Sequence, residues 1–77
     1  MYYKRIAELR ENRDYKQQYV AGILNISQRA YSYYESGKRQ IPIETLCCLA
    51  DFYNVSVDYI LERTDYKETY PKTKTDR

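Results

Sequence analysis

The 77-residue chain contains no histidine and no tryptophan, and only two glycines, two prolines and two cysteines. The lack of histidine excludes histidine-dependent metal sites, Ser-His or Cys-His nucleophile pairs and histidine acid–base catalysis. Gly22 and Gly37 are too few for a glycine-rich loop that cradles phosphate. Because these catalytic and cofactor-binding arrangements are missing, we expect neither enzyme activity nor a cofactor.

Long apolar runs and a cysteine framework are also missing. No apolar stretch approaches the roughly 18 residues that span a membrane, and residues 1–5 lack the apolar core of a signal peptide. Cys47 and Cys48 are adjacent in the sequence, which is not a disulfide framework. Free thiols without an export signal predict a cytoplasmic protein with no membrane partner.

The charge is small in total but uneven along the chain. Thirteen basic and eleven acidic residues give a net charge of +2. Residues 1–40 hold eight basic and four acidic residues, residues 41–63 hold one and four, and residues 64–77 hold four and three. A basic half followed by an acidic segment predicts that the first half faces a polyanion.

The apolar positions repeat at helical spacing almost throughout, and no segment alternates like a strand. The sequence therefore predicts an all-α domain over residues 1–63. Residues 64–77 contain no aliphatic side chain and predict a polar, flexible tail. The five short helices are expected at about residues 2–12, from residue 16 or 17 to residue 24, and at about 28–36, 43–53 and 57–63.

Residues with special backbone preferences mark the helix ends. Asn25, Gly37 and Asn54 tolerate the left-handed conformation, so each is expected to follow a helix. Ser27 and Ser56 have the side chain that caps a helix start, so each is expected to precede one. These boundaries divide the chain into helices of two to three turns joined by short loops.

Residues 17–36 predict a helix-turn-helix. Ala21 is the small residue that two closely approaching helices need, and Asn25 suits the sharp turn between them. Apolar side chains are available to wedge the two helices together: Val20, Leu24, Ile26, Tyr31 and Tyr34. This packing leaves the outward face of the third helix free.

The outward face carries side chains that suit base recognition in the major groove. Gln28 can pair with adenine, Arg29 can pair with guanine, and Ser32 can bond a base or a phosphate. Tyr33 can pack on a thymine methyl group or bond a phosphate. The alternative is an ordinary solvated helix face, and the coincidence of turn chemistry, basic charge and side-chain type favours DNA.

Other residues near the third helix suit contacts with the DNA backbone. Lys38 and Arg39 form a basic pair directly after the helix. Gln17, with the free N–H groups at the start of the second helix, is expected to anchor another phosphate.

Several residues have the spacing of a known family. They are the runs Tyr34 to Arg39 and Asn54 to Tyr59, together with Gln17, Ala21, Asn25 and Gln28. Over roughly Ile6 to Leu61 the chain resembles the phage-repressor and Cro-like (Xre-type) helix-turn-helix proteins. The resemblance implies a compact five-helix, lambda-repressor-like domain that binds double-stranded DNA, usually as a homodimer on a palindromic operator. It also implies backbone contacts from Gln17, Ser36 and Lys38, and an ion pair between Arg10 and Glu35.

Three positions depart from the family pattern. Asn25 replaces the usual glycine of the turn, which its tolerance of the left-handed conformation accommodates. Tyr31 replaces a valine or isoleucine, so we expect looser packing or a ring that reaches outward. Gly22 lies inside the second helix, where it costs about 1 kcal/mol relative to alanine. The one account that the sequence offers for it is room for a nearby tyrosine.

The fourth and fifth helices leave apolar residues that do not belong to the inner face. Cys48 and Phe52 are four residues apart and predict an exposed strip, which with Tyr59 is the expected dimer contact. Scattered surface residues are the alternative. Cys47 is expected to be half-buried and Cys48 to be an accessible thiol.

The sequence as a whole predicts a DNA-binding transcriptional regulator, most simply a repressor, with no small-molecule ligand. The alternative is a protein–protein adaptor or an antitoxin on the same helix-turn-helix scaffold.

Overall fold

The computed structural model describes residues 2–68, and within them the chain forms five α-helices and no strand. The predicted all-α class is therefore confirmed for the described residues. The helices, numbered in chain order, are α1 (Lys4–Asn12), α2 (Gln17–Ile23), α3 (Gln28–Ser36), α4 (Ile43–Tyr53) and α5 (Val57–Ile60).

The helix ends follow the residues that predicted them. Asn25, Asn54 and Gly37 all have positive φ, at 59°, 57° and 81° respectively. The hydroxyl oxygen of Ser27 accepts a 3.0 Å hydrogen bond from the backbone N–H of Ala30, and Ser56 accepts one of the same length from Tyr59. These caps satisfy backbone groups that the ends of α3 and α5 would otherwise leave without partners.

A single core lies between the helices, and α1, α2 and α3 enclose one side of it. Tyr31 is fully buried there, and Ala21 is buried where α2 packs on α3. Leu24, Ile26, Val57 and Leu61 are only half-buried at the edge of this core. The buried apolar residues are Ile6, Leu9, Val20, Ala21, Tyr31, Ile41, Leu46, Leu49, Ala50, Tyr53, Val55 and Ile60.

The first and last helices are shorter than the sequence predicted. The first helix begins at Lys4 rather than near residue 2. The last helix ends at Ile60 rather than at Arg63, because Glu62 takes a left-handed conformation with φ of 65°. The backbone N–H of Arg63 then donates to the carbonyl oxygen of Asp58 at 2.9 Å, which closes the helix.

Residues 64–67 are tied to the helices, in contrast to the flexible tail predicted from residue 64. The guanidinium of Arg5 donates to the carbonyl oxygen of Thr64 at 2.7 Å and to the carboxylate of Asp65 at 2.8 Å. The backbone N–H of Ser56 donates to the carbonyl oxygen of Lys67 at 3.0 Å. Residues 64, 65 and 67 therefore contact α1 and the start of α5, and residues 69–77 of the predicted tail lie outside the described part of the chain.

Candidate nucleic-acid interface

The turn between α2 and α3 is held by backbone hydrogen bonds. The N–H of Asn25 donates to the carbonyl oxygen of Gly22 at 3.1 Å, and the N–H of Ile26 donates to that of Ala21 at 3.0 Å. Because Asn25 takes the left-handed conformation, the chain reverses within a few residues and α3 begins directly after the Ser27 cap. The two helices form the predicted helix-turn-helix.

The inner side of α3 carries Tyr31, whose placement differs from the sequence expectation. The ring is fully buried, and its hydroxyl donates a 2.7 Å hydrogen bond to the Glu35 carboxylate one turn later. The expected loose packing or outward ring was wrong, because Glu35 gives the hydroxyl a partner inside the protein. Burial, followed by this hydrogen bond, raises the pKa of Tyr31 above its ordinary value.

The Glu35 carboxylate accepts hydrogen bonds from three elements of the domain. Arg10 of α1 donates from Nε at 2.8 Å and from Nη2 at 3.0 Å. Gln17 of α2 donates from Nε2 at 2.8 Å, in addition to the bond from Tyr31 of α3 itself. We call these four residues the Glu35 network. It joins the first three helices at one buried carboxylate.

The network determines the charge state of Glu35. Burial alone would raise the pKa of this carboxyl, but the hydrogen bonds from Arg10, Tyr31 and Gln17 outweigh burial and hold the pKa below its ordinary value. The bond to Glu35 in turn raises the pKa of Arg10. Glu35 and Arg10 are therefore a charged pair at neutral pH, and Nη1 of Arg10 also donates to the carbonyl oxygen of Tyr15 at 2.8 Å.

Gln17 is a member of this network as well as a predicted phosphate contact. One hydrogen of its side-chain amide is used by Glu35, which leaves the second hydrogen for another acceptor. Its side chain also lines the surface cavity formed by the outer side of α3. Gln17, which the sequence predicts to contact a phosphate, is therefore hydrogen-bonded to the buried Glu35 carboxylate.

The outer side of α3 presents the four predicted base-contacting residues together. They line one open cavity of about 390 Å³ with Gln17, and no acidic residue is among the residues that line it. The side chains of Gln28, Arg29 and Ser32 make no hydrogen bond or ion pair within residues 2–68. This surface, which we call the outer face, consists of Gln28, Arg29, Ser32 and Tyr33.

The loop after α3 adds two cations beside the outer face. The Lys38 ammonium lies 5.2 Å from the centre of the Tyr33 ring, and the Arg39 guanidinium lies 5.3 Å from it. Arg39 also lines a second cavity of about 200 Å³, with Ser27, Arg29, Ala30 and Tyr33. The structure therefore places both predicted backbone-contacting cations next to Tyr33.

Ser36, the remaining predicted phosphate contact, is engaged locally. Its hydroxyl donates to the carbonyl oxygen of Tyr33 at 3.3 Å and accepts from the backbone N–H of Lys38 at 3.4 Å. Its side chain is exposed and lies at the end of α3, on the same side of the domain as Lys38.

The three predicted dimer residues have different surroundings in the described structure. The half-buried Phe52 ring packs on Tyr15, with ring centres 5.7 Å apart, and faces Tyr19 at 6.4 Å. Tyr59 instead lies under the Arg5 guanidinium, 4.2 Å from its ring centre. Cys48 is exposed as expected, and Cys47 is exposed rather than half-buried because it lies on the solvent side of α4.

Sequence reasoning missed two donors of the Glu35 network, the Tyr31 hydroxyl and the Gln17 amide. Tyr31 and Glu35 are four residues apart on α3, a spacing that places two side chains side by side on a helix. That spacing was the available signal for the tyrosine. The Gln17 contact depends on how α2 crosses α3, and the sequence pattern carries no comparable signal for it.

Two further observations concern other kinds of site. None of the helices between residues 2 and 68 is long and apolar enough to cross a membrane. The same stretch contains no group of three or more histidine, cysteine or acidic side chains placed to hold a metal ion.

Two short helices at a sharp turn, with one side of the second helix buried and the other side polar and open, define the helix-turn-helix class. Comparison with protein families matches residues 6–60 to the family described as Helix-turn-helix, and the chain belongs to that family. No solved structure matches the chain significantly.

Several curated proteins of Bacillus subtilis (strain 168) are similar to the chain. The HTH-type transcriptional regulator AnsR is 38% identical over 68 residues, which are 88% of this chain and 59% of AnsR. The HTH-type transcriptional regulator ImmR is 37% identical over 73 residues, which are 95% of this chain and 55% of ImmR. The prophage-derived regulator YonR is 34% identical over 64 residues, which are 83% of this chain and 59% of YonR. The chain thus spans somewhat more than half the length of these relatives.

Proposed function

We propose that this chain is a DNA-binding transcriptional regulator that reads double-stranded DNA in the major groove with α3. The observation that supports this most is the outer face. Three of its side chains, Gln28, Arg29 and Ser32, make no hydrogen bond or ion pair within residues 2–68, and they lie on a helix whose inner side is fixed by the Glu35 network. The names of the similar proteins, which are transcriptional regulators, point to the same function.

The proposed contacts divide into base recognition and backbone binding. Gln28 pairs with adenine and Arg29 with guanine, because these side chains match the two hydrogen-bonding groups that each purine presents in the major groove. Ser32 and Tyr33 complete the base contacts. The residues proposed to bind phosphates are Gln17, Ser36, Lys38 and Arg39.

The regulator is proposed to act as a homodimer on a palindromic operator and to repress transcription by covering a promoter. Two copies would place their α3 helices in successive major grooves, about 34–36 Å apart. The exposed Cys48 and the half-buried Phe52 are the proposed contact on α4. The half-buried Tyr59 completes the proposed contact. The cytoplasm is the proposed location, where the exposed thiols stay reduced.

The test is selection of bound sequences from a random duplex library, followed by binding measurements at several salt concentrations. We expect an enriched palindrome and an affinity that falls steeply with salt, because Lys38, Arg39 and other basic residues displace counterions from the phosphates. The variant Arg29→Ala is expected to lose about 1–3 kcal/mol of binding free energy and to relax specificity at one base pair.

A matched control for Arg29→Ala is Arg63→Ala, which removes an exposed arginine from the acidic segment instead. It should leave the selected sequence unchanged. Absence of salt-dependent duplex binding would contradict the proposed function and favour a protein–protein adaptor or an antitoxin.

A further inference from the structure

Arg29 and Tyr33 together form a ridge on the outer face. Both side chains line the larger cavity with Gln17, and both line the smaller cavity with Arg39. They are four residues apart on α3 and therefore lie one above the other on the same side of the helix. Base edges in a DNA major groove that received α3 would contact both side chains at once.

Arg29 is free to bind a ligand. The one carboxylate on α3, Glu35, is on the inner side and already accepts from Arg10, Gln17 and Tyr31. No acidic residue lines either cavity that Arg29 borders. The guanidinium thus keeps its planar set of donors for a partner with two adjacent acceptors, and guanine is the base that presents this pair in the major groove.

Tyr33 differs from Arg29 because cations flank its ring. The Lys38 and Arg39 cations lie 5.2 and 5.3 Å from the ring centre, where each makes a cation–π contact with the ring. Both cations can also bind phosphates. With two cations beside it, the tyrosine hydroxyl is not required for phosphate binding. The Tyr33 ring lines both cavities, and its carbon atoms can make an apolar contact. The apolar group that the major groove offers is a pyrimidine 5-methyl group.

Resting on the function proposed above, we propose that Arg29 and Tyr33 act as one reading unit for a guanine and a nearby 5-methylpyrimidine. Four residues of helix cover about 6 Å, which corresponds to one or two base steps of about 3.4 Å. The methylated base therefore lies within two base pairs of the guanine. Thymine supplies the methyl group in ordinary DNA, and 5-methylcytosine presents the same group.

The experiment begins from the selected duplex. The base that Arg29 reads is identified as the position whose base preference disappears in Arg29→Ala. This variant is expected to lose affinity for the selected duplex roughly five- to 160-fold. Each thymine within two base pairs of that base is then replaced by deoxyuridine, which removes only the methyl group. We expect one such replacement to weaken binding about fourfold, the effect of burying one methyl group.

Variants of Tyr33 assign that methyl contact. Tyr33→Ala should abolish the preference for thymine over deoxyuridine. Tyr33→Phe should keep the ratio of the affinities for the thymine and deoxyuridine duplexes, whatever its effect on overall affinity, because the ring remains. Two further duplexes carry cytosine or 5-methylcytosine in place of that thymine. The wild type should bind the methylated duplex more tightly than the unmethylated one by a similar factor, and Tyr33→Ala should bind both equally.

Three results would overturn this inference while leaving sequence-specific duplex binding intact. They are a selected site with no thymine within two base pairs of the guanine, equal affinity for thymine and deoxyuridine, and a preference that survives in Tyr33→Ala. A loss of the ratio in Tyr33→Phe would also overturn it, because the hydroxyl would then be the contacting group. Failure of the proposed function is distinguished by the absence of any salt-dependent duplex binding.

Discussion

The two sides of α3 differ in whether their polar side chains have hydrogen-bond partners in the described structure. On the inner side the Tyr31 hydroxyl and both Glu35 oxygens are hydrogen-bonded, with donors from α1, α2 and α3. On the outer side Gln28, Arg29 and Ser32 have no partner among residues 2–68. The contrast shows how a small domain holds a helix rigidly while leaving one of its faces unsatisfied for a ligand.

The largest expected effect is on the inner side. Glu35→Gln should lower the free energy of unfolding by about 3–5 kcal/mol, because it leaves the half-buried Arg10 guanidinium without its countercharge. Urea unfolding followed by circular dichroism measures this change. The control Glu11→Gln removes a carboxylate that is 65% exposed and 3.7 Å from Arg10, so its effect should stay below about 1 kcal/mol.

The same carboxylate makes a pH test available even where Glu35→Gln does not fold. The folded chain holds the pKa of Glu35 below its ordinary 4.5, so the unfolded chain binds more protons as the pH falls below that value. The stabilisation is therefore present above about pH 4.5 and is lost as the pH falls through the folded pKa. A free energy of unfolding that stays constant in the wild type through this pH range would contradict the assignment, as would equal losses in Glu35→Gln and Glu11→Gln where both variants fold.

A smaller effect is expected from the tyrosine of the network. Tyr31→Phe should cost about 1.5–3 kcal/mol of unfolding free energy, because it removes a hydrogen bond to a charged group. Tyr53→Phe is the matched control, since the Tyr53 hydroxyl is also buried but has no hydrogen-bond partner in the described chain. In thermal unfolding, the melting temperature of Tyr31→Phe should be well below that of Tyr53→Phe. The reverse order would show that the hydroxyl is not what fixes the inner side.

The smallest effect extends the comparison to α2, where buried Ala21 is followed by exposed Gly22. A Cβ atom at Gly22 would meet nothing within 4 Å, so the expected need for space beside a tyrosine was wrong. Gly22→Ala should raise the free energy of unfolding by about 0.5–1 kcal/mol, because alanine loses less backbone freedom in a helix. Gly37→Ala should have the opposite sign, since Gly37 has a φ of 81°. A destabilised Gly22→Ala would refute this explanation.

Much of the fold was predictable because its boundaries depend on local chemistry. Asn25, Gly37 and Asn54 end helices through their own backbone preferences, and Ser27 and Ser56 cap helices with their own side chains. Such effects act within a few residues and are visible in the sequence. The grouping of Gln28, Arg29, Ser32 and Tyr33 on one face likewise follows from helical spacing alone.

The features that were missed depend on hydrogen bonds and charges that join different elements, in addition to the local spacing of Tyr31 and Glu35. Tyr31 entered the core because the Glu35 carboxylate, which Arg10 from another helix keeps charged, offered an acceptor for its hydroxyl. Residues 64–67 lack aliphatic side chains, and contacts with Arg5, Ser56 and the Tyr59 ring hold them in place. Hydropathy measures apolar burial, so it gave no sign of an attachment made by hydrogen bonds and charge.

The attachment of residues 64–67 also sets the length of any tether that follows the domain. A freely extended chain gains at most about 3.3–3.6 Å per residue. With Lys67 held by Ser56, a tether is counted from residue 68 rather than from residue 64. Its maximal reach is shorter by about 13–14 Å. Arg5 of α1, which binds Thr64 and Asp65, thus helps to set the point on the domain from which any following segment starts.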